Sequence, residues 1–460
     1  MSGNGNDGRY DLIIIGGGPA GYLAAERAAG AGQTVLLAEE EHLGGVCLNW
    51  GCIPTKTLLH SAKVYHAAAH AERFGVTVRD VRYDLAGIMA WKREVVQTQR
   101  GGVEKLMKRG GVTVVSGRAR LAGRDAVSVE GRTYRGRNVL IAAGSAPVRL
   151  PIPGADGPTV HTSREILDLE RLPSGVAVIG GGVIGLEFAS YFSLLGIPVT
   201  VIEMLPEILP SFDRDIGALL RRAMPDVTFL TGSKVESVAG GAVSVAGGGA
   251  GENGANSTVR VEADLVLMAA GRRPNVTDLG LQEAGIDFDA GGVRVDERMR
   301  TNVPGILAAG DVTGRSLLAH SAYRMAEVAV STVTGGTDRM RYDAIPWVVY
   351  SEPEVAGVGL TEAQAAARGR PVESVKVPLR INGRYMAEHG DEPGICKVMV
   401  DRETGVLAGM AMVGGHCSEI IYGAAAMLES ELRVRDIREI VFPHPTVSEV
   451  IRDAVWRLRV

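Results

Sequence analysis

Two cysteines and a lysine stand close together in the stretch Gly44-Gly45-Val46-Cys47-Leu48-Asn49-Trp50-Gly51-Cys52-Ile53-Pro54-Thr55-Lys56. Cys47 and Cys52 are half of the chain's 4 cysteines. A gap of four residues lets a turn bring the two sulfurs together, so a reversible disulfide is within reach. In a reducing compartment a close pair is more often catalytic or metal-binding than a structural staple. A zinc site needs about four ligands, and no second cysteine pair follows; Cys396 and Cys417 stand alone. At this point three readings stand: redox chemistry, metal binding, or an inert pair. Redox chemistry is the one carried forward, and no metal centre is expected.

Composition bounds the setting. At 460 residues the chain is too long for one core and is expected to hold about three domains. The apolar share of 46% is ordinary for a globular protein, while 61 glycines favour tight turns and close approach of backbone to ligands. A net charge of −4 gives no reason to expect nucleic acid or an anionic membrane as partner. No apolar run approaches the ~20 residues of a membrane span. Met1–Arg9 is polar and has no apolar core of a secretion signal, so a cytoplasmic location is expected.

The elements that must position the cysteines begin at Tyr10–Ile15, a short apolar run that reads as a buried parallel strand. It leads into Gly16-Gly17-Gly18-Pro19-Ala20-Gly21, an Ala-rich helix to about Ala31, a second strand Thr34–Ala38, and Glu39. Strand, Gly-x-Gly-x-x-Gly, helix, strand and acidic residue make the complete dinucleotide-binding fingerprint. Gly16 permits the tight turn, Gly18 lets backbone approach a pyrophosphate, and Gly21 allows close helix–strand packing. Glu39 accepts hydrogen bonds from a ribose diol. The pattern recurs in Val176–Ile179, Gly180-Gly181-Gly182-Val183-Ile184-Gly185, a helix to about Leu195, Val199–Ile202 and Glu203. The strand ending at Gly144 likewise resembles the one ending at Gly271. A duplicated fold implies two nucleotide cofactors, and two dinucleotides with a cysteine pair spell an electron relay. Another apolar strand ends in Gly310-Asp311. The small, polar run Gly240–Thr258 is expected as a loose hairpin loop. Beyond about Met340, strands Trp347–Tyr350, Lys376–Leu379, Cys396–Val400 and Val406–Met412 and helices Ser418–Leu428 and Thr446–Leu458 predict an α+β domain.

With these residues in hand, the chain resembles the pyridine nucleotide–disulfide oxidoreductases over essentially its whole length. The dithiol motif carries most of the likeness; Gly310-Asp311, Pro353-Glu354-Val355-Ala356-Gly357-Val358-Gly359 and His444-Pro445-Thr446-Val447-Ser448-Glu449 add to it. The resemblance implies an α/β protein with two Rossmann-like domains and a C-terminal α+β dimerisation domain. Its parts are expected at 1–148 (FAD, first part), 149–272 (NAD), 273–341 (central, completing the FAD site) and 342–460 (dimer interface). It places Gly16, Gly18, Gly21 and Glu39 on the ADP half of FAD and Asp311 on the ribityl side, with Gly144, Gly271 and Gly310 also at the cofactors. Gly182, Gly185 and Glu203 are to hold NAD, a carboxylate accepting a 2′-hydroxyl but repelling a 2′-phosphate. Cys52 is implied as the thiolate against the flavin and Cys47 as the interchange thiol. Lys56, one turn after Cys52, is to sit beside flavin and thiolate with Glu187 as partner. His444, oriented by Glu449, is implied as the base that serves the other subunit's dithiol; a role for His320 is left open.

The implied activity is that of the family branch oxidising protein-bound dihydrolipoyl groups with NAD+ through a Cys47–Cys52 disulfide. A homodimer and a lipoyl-domain partner from a 2-oxoacid dehydrogenase or glycine-cleavage complex follow from it. The alternative is a glutathione- or mercuric-reductase-like enzyme of the same fold. Glu203 and the absence of a cysteine pair near the C-terminus stand against it. Phe442, in place of a second histidine, and Ala143, in place of a threonine, depart from the family pattern. Cys396 and Cys417 are expected as buried apolar residues.

Overall fold

The computed structural model describes residues 9–247 and 258–460. They divide into two compact units. The first comprises the chain to Thr57, Ala86–Val148 and Gly271–Arg341; the second comprises Leu58–Leu85, Arg149–Ala270 and Tyr342–Val460.

The first unit is built on a seven-stranded sheet. Strand Arg9–Ile15 pairs in parallel with Val35–Glu39 on one side and Arg132–Ile141 on the other. Thr113–Ser116 extends one edge, and Ile306–Ala308 joins Arg132–Ile141 in parallel. Leu12, Ile13 and Ile14 are almost wholly buried, as a parallel strand covered on both faces requires. Helix Pro19–Gly30 puts Ala24, Ala25 and Ala28 into the interior and packs against helix Ala319–Val333. Proline in its first turn suits a start that has no intrahelical acceptor for its N–H. A strand pair, Ser145–Pro147 with Arg272–Pro274, follows from the ends of the two corresponding nucleotide strands.

The second unit repeats the plan. Its parallel sheet orders Val227–Leu230, Val199–Ile202, Val176–Ile179, Leu265–Met268 and Val160–His161, with helix Val183–Leu194 after the glycines. The same unit holds a five-stranded antiparallel sheet of Trp347–Val349, Val355–Gly359, Leu407–Val413, Ile395–Asp401 and Val372–Pro378. Helix Cys417–Glu429 covers one stretch of it and Glu449–Val455 another. Cys396 and Cys417 are fully buried in that core, as their expected apolar role requires.

Two expectations are corrected. Ala242–Ala246 is a strand paired with Lys234–Ala239 and Thr258–Glu262, because the alternate residues Val243 and Val245 have an apolar core to face. Of the expected Gly240–Thr258 loop, only Gly240 and Gly241 remain a turn, and 248–257 lie outside the described residues, as do residues 1–8. The final helix is Glu449–Val455, shorter than Thr446–Leu458, since the Thr446 amide is turned onto the Glu449 carboxylate.

Candidate active site

In the first unit, Cys47 sits in the short helix Gly45–Trp50 and Cys52 opens the long helix Cys52–Ala69. Gly51 between them has φ −142° and ψ −111°, which breaks the helix and turns the second cysteine back toward the first. Both are thiols, and the Cys47 sulfhydryl is hydrogen bonded to Cys52. That bond, with burial and the charge of Cys52, pushes the Cys47 thiol far up, while the Lys56 ammonium pulls it down. The sequence thus brings Cys47, Cys52 and Lys56 into one electrostatic unit.

The glycine loops are twins. Gly16 has φ +101°, and a Cβ on it would stand 2.3 Å from the Ala142 carbonyl oxygen; Gly180 has φ +113° and meets Ala269 oxygen at 2.4 Å. A Cβ on Gly21 would stand 1.8 Å from the Gly16 oxygen, and one on Gly185 2.1 Å from that of Gly180. Gly18 and Gly182 cap their helices without a side-chain acceptor. Around Gly182 a Cβ would meet nothing within 4 Å, and around Gly18 only the Gly45 Cα at 3.8 Å. Each loop therefore leaves a helix N-terminus open to a phosphate. Glu39 accepts from the amides of Gly17 (2.6 Å) and Glu41 (2.8 Å), and Glu203 from Gly181 (2.7 Å) and Leu205 (2.8 Å). Both carboxylates hold the loop as well as being available to a ribose.

Asp311 follows Gly310 at the start of a single helical turn, Asp311–Thr313. Its carboxylate accepts from Ser145 Oγ at 2.5 Å, and Arg272 Nε donates to the same Oγ at 2.8 Å. Burial pushes the Asp311 carboxyl up against the pull of Ser145 and Arg272. Gly144 and Gly271 lie at the head of this strand pair, Gly144 oxygen accepting from Asn275 N at 3.0 Å and Gly271 oxygen from Val148 N at 3.0 Å. Ser145 and Arg272 carry no motif of their own, and their contact spans 127 positions. The hydroxyls of Tyr22 and Tyr323, 2.5 Å apart, were also silent in the sequence. Burial raises both phenols, and charge on Cys47 adds to the rise in each.

In the second unit, His444 Nδ1 lies 3.1 Å from Glu449 Oε2. Glu449 is buried, whereas the His444 side chain is 81% exposed. Thr446 N and Arg452 Nη1 also donate to Glu449. The Thr446 amide, then His444 and Arg452, hold its carboxyl below the ordinary range against the pull of burial. A carboxylate held on Nδ1 leaves the other ring nitrogen, Nε2, as the acceptor of the neutral imidazole. Glu187, on the second glycine helix, is buried and accepts from Tyr350 N at 3.1 Å. His320 is exposed at the start of its helix. One spacing escaped the sequence reading: His66 and His70 stand one turn apart, their rings 4.0 Å from centre to centre. They belong to no group of three metal-ligating side chains among the described residues.

Residues 10–326 match the family model of the pyridine nucleotide-disulphide oxidoreductases, and 345–455 match the dimerisation domain of the same family. The chain belongs to this family. It is 41% identical to a dihydrolipoyl dehydrogenase of Thermus scotoductus over 98% of its length and 97% of that protein. A dihydrolipoyl dehydrogenase of Rhizobium etli is 36% identical, covering 97% of each. Among solved structures, LpdA of Mycobacterium tuberculosis superposes with a TM-score of 0.88 at 29% identity, covering 98% of this chain and all of the other. The HOCl-induced flavoprotein disulfide reductase RclA of Escherichia coli gives 0.85 at 29%, with the same coverage. The chain is an enzyme that uses FAD and NAD, and its C-terminal domain makes it a homodimer. The two open helix ends fit two dinucleotides. No described helix is long and apolar enough to cross a membrane.

Proposed function

We propose that this enzyme oxidises protein-bound dihydrolipoyl groups with NAD+, through a disulfide formed by Cys47 and Cys52. The observation that carries the reading is the bonded thiol pair at the head of its helix under the charge of Lys56. His444, steadied by Glu449, takes the proton of one substrate thiol. The substrate thiolate attacks Cys47 Sγ, the Cys47–Cys52 bond breaks, and Cys52 leaves as a thiolate. The second substrate thiol then attacks the mixed disulfide, closes the lipoyl ring and frees Cys47 as a thiol. Lys56 steadies the Cys52 thiolate. FAD, when bound, supplies the two-electron acceptor that links this dithiol to hydride transfer onto NAD+.

Gly16, Gly18, Gly21, Glu39 and Asp311 hold FAD; Gly182, Gly185 and Glu203 hold NAD, and Glu187 assists Lys56. His444 acts on the dithiol of the other subunit, which its exposure supports. The division at 148, 272 and 341, a lipoyl-domain partner and a cytoplasmic setting, where a reducing pool sustains free thiols, belong to the same proposal. The glutathione- or mercuric-reductase-like alternative is not favoured, given Glu203 and the dihydrolipoyl dehydrogenase relatives.

The test is anaerobic turnover of dihydrolipoamide with NAD+ and with NADP+, while following a long-wavelength thiolate–flavin band. NAD+-linked turnover with the band is expected. The band with no lipoamide turnover would move the substrate to another disulfide.

A further inference from the structure

Apart from the thiol chemistry, the C-terminal domain holds a cluster of metal-ligating side chains. Helix Gly383–His389 ends in Glu388-His389, and His416 stands before helix Cys417–Glu429 with φ +66°. One donor atom from each of Glu388, His389 and His416 lies within 4.8 Å of the others. His416 Nε2 is 2.8 Å from Glu388 Oε2, and the other Glu388 oxygen is bonded by Arg384.

His389 decides the reading. Its ring stacks on Tyr385 at 4.6 Å, and its Nδ1 lies 3.3 Å from Glu392 Oε2. A carboxylate only accepts, so Nδ1 carries the proton and Nε2 is left as a bare acceptor. That Nε2 is buried without a hydrogen-bond partner, which is unfavourable unless something binds there. A Cβ at Gly415 would stand 2.2 Å from it, so glycine keeps this side of the ring clear. A carboxylate behind one nitrogen of an imidazole that has two further donors close by is the arrangement that orients a histidine toward a metal ion.

We propose that Glu388, His389 and His416 bind a zinc ion, with water completing the shell. Two imidazoles and one carboxylate suit zinc and its transition-metal neighbours. One carboxylate already shared with Arg384 does not suit calcium or magnesium, which take six or more oxygens. Donors around a tetrahedral zinc stand roughly 3.3 Å apart, so no pair in the cluster has to close by more than about 1.5 Å, and His416 and Glu388 have to part slightly. The half-exposed His416 and the Glu388 side chain make that movement, while His389 is held by Tyr385 and Glu392. Coordination replaces the proton on His416 Nε2 and ties the end of one helix to the beginning of the next.

Equilibrium dialysis of the FAD-loaded, oxidised enzyme against zinc tests this, the disulfide keeping Cys47 and Cys52 out of the competition. The native enzyme is expected to hold one zinc per chain that His416→Gln and His389→Gln lose, and zinc is expected to raise the thermal midpoint of the native enzyme alone. Glu392→Gln is expected to weaken binding about 10–100-fold by freeing the ring. Equal zinc content and equal midpoint shifts in native enzyme and His416→Gln, whose side chain is half exposed, would overturn the proposal. So would no zinc in the native enzyme.

Discussion

His444 and Glu449 illustrate how a single carboxylate fixes an exposed imidazole. Glu449 is itself held by Thr446 and Arg452, so the imidazole is oriented without being covered. His444→Gln is expected to lower dihydrolipoamide turnover by about 10²–10⁴-fold while leaving NADH-to-dye activity intact, because the dye takes electrons without the thiol step. Equal losses in both assays would remove the base role. Cys47→Ser is expected to keep FAD, seen by its absorbance, and to abolish lipoamide turnover; loss of flavin would make the stretch structural instead. At this scale the closeness of Cys47 and Cys52 was legible from type and spacing, whereas Lys56, His444 and Glu449 were singled out by the family resemblance of the motifs around them. Ser145, Arg272 and the Tyr22–Tyr323 pair were not, since their meaning arises only when distant segments meet.

The two glycine loops make separable predictions for the elements that carry them. Gly21→Ala would press a methyl into the Gly16 carbonyl at 1.8 Å, and Gly185→Ala into that of Gly180 at 2.1 Å. The first is expected to yield protein depleted of FAD on purification. The second is expected to retain FAD and raise the Michaelis constant for NAD+, read from steady-state kinetics. Reversed phenotypes would exchange the cofactor assignments. Strand, glycine turn and helix were readable because apolar runs of fixed length are punctuated by glycines. Val243 and Val245 were misread because their neighbours are small and polar, and only the partner strands give them a core to face.

For the whole molecule, the second unit holds a buried lysine among three carboxylates. Lys397, 2% exposed, pairs with Asp213 Oδ2 at 3.0 Å, Glu362 Oε2 at 3.0 Å and Asp215 Oδ1 at 3.4 Å. Burial pulls the Lys397 ammonium down, but its bonds to Asp213 and Glu362 outweigh that and raise it. Burial likewise opposes the lowering of Asp215 and Glu362, which Lys376, Ser374 and Lys397 bring about. The raised lysine stabilises the fold below the ordinary lysine range, and this is lost as pH rises through its folded value. The depressed carboxylates stabilise it above the ordinary carboxylate range, and this is lost as pH falls through theirs. Stability from the cluster is therefore greatest between the two ranges. Lys397→Met takes the cation from the nearly buried Asp213 and is expected to cost about 3–5 kcal/mol, measured by denaturant unfolding near neutral pH. A cost below 1 kcal/mol would show that water enters the cluster. Tyr422, Val441 and Trp456 are 76%, 91% and 60% exposed in the single chain, an apolar surface of the kind a homodimer covers. Tyr422→Glu is expected to shift the enzyme toward monomers in sedimentation.

The doubled grip of Glu203 on Gly181 and Leu205 bears on redesign. Exchanging this residue for arginine, the obvious route to a phosphorylated nicotinamide coenzyme, would also release the two amides that shape the loop. With Glu203 in its proposed role, preference for the coenzyme is built into the scaffold, and a usable switch requires a new anchor for Gly181 and Leu205 together with the new positive charge.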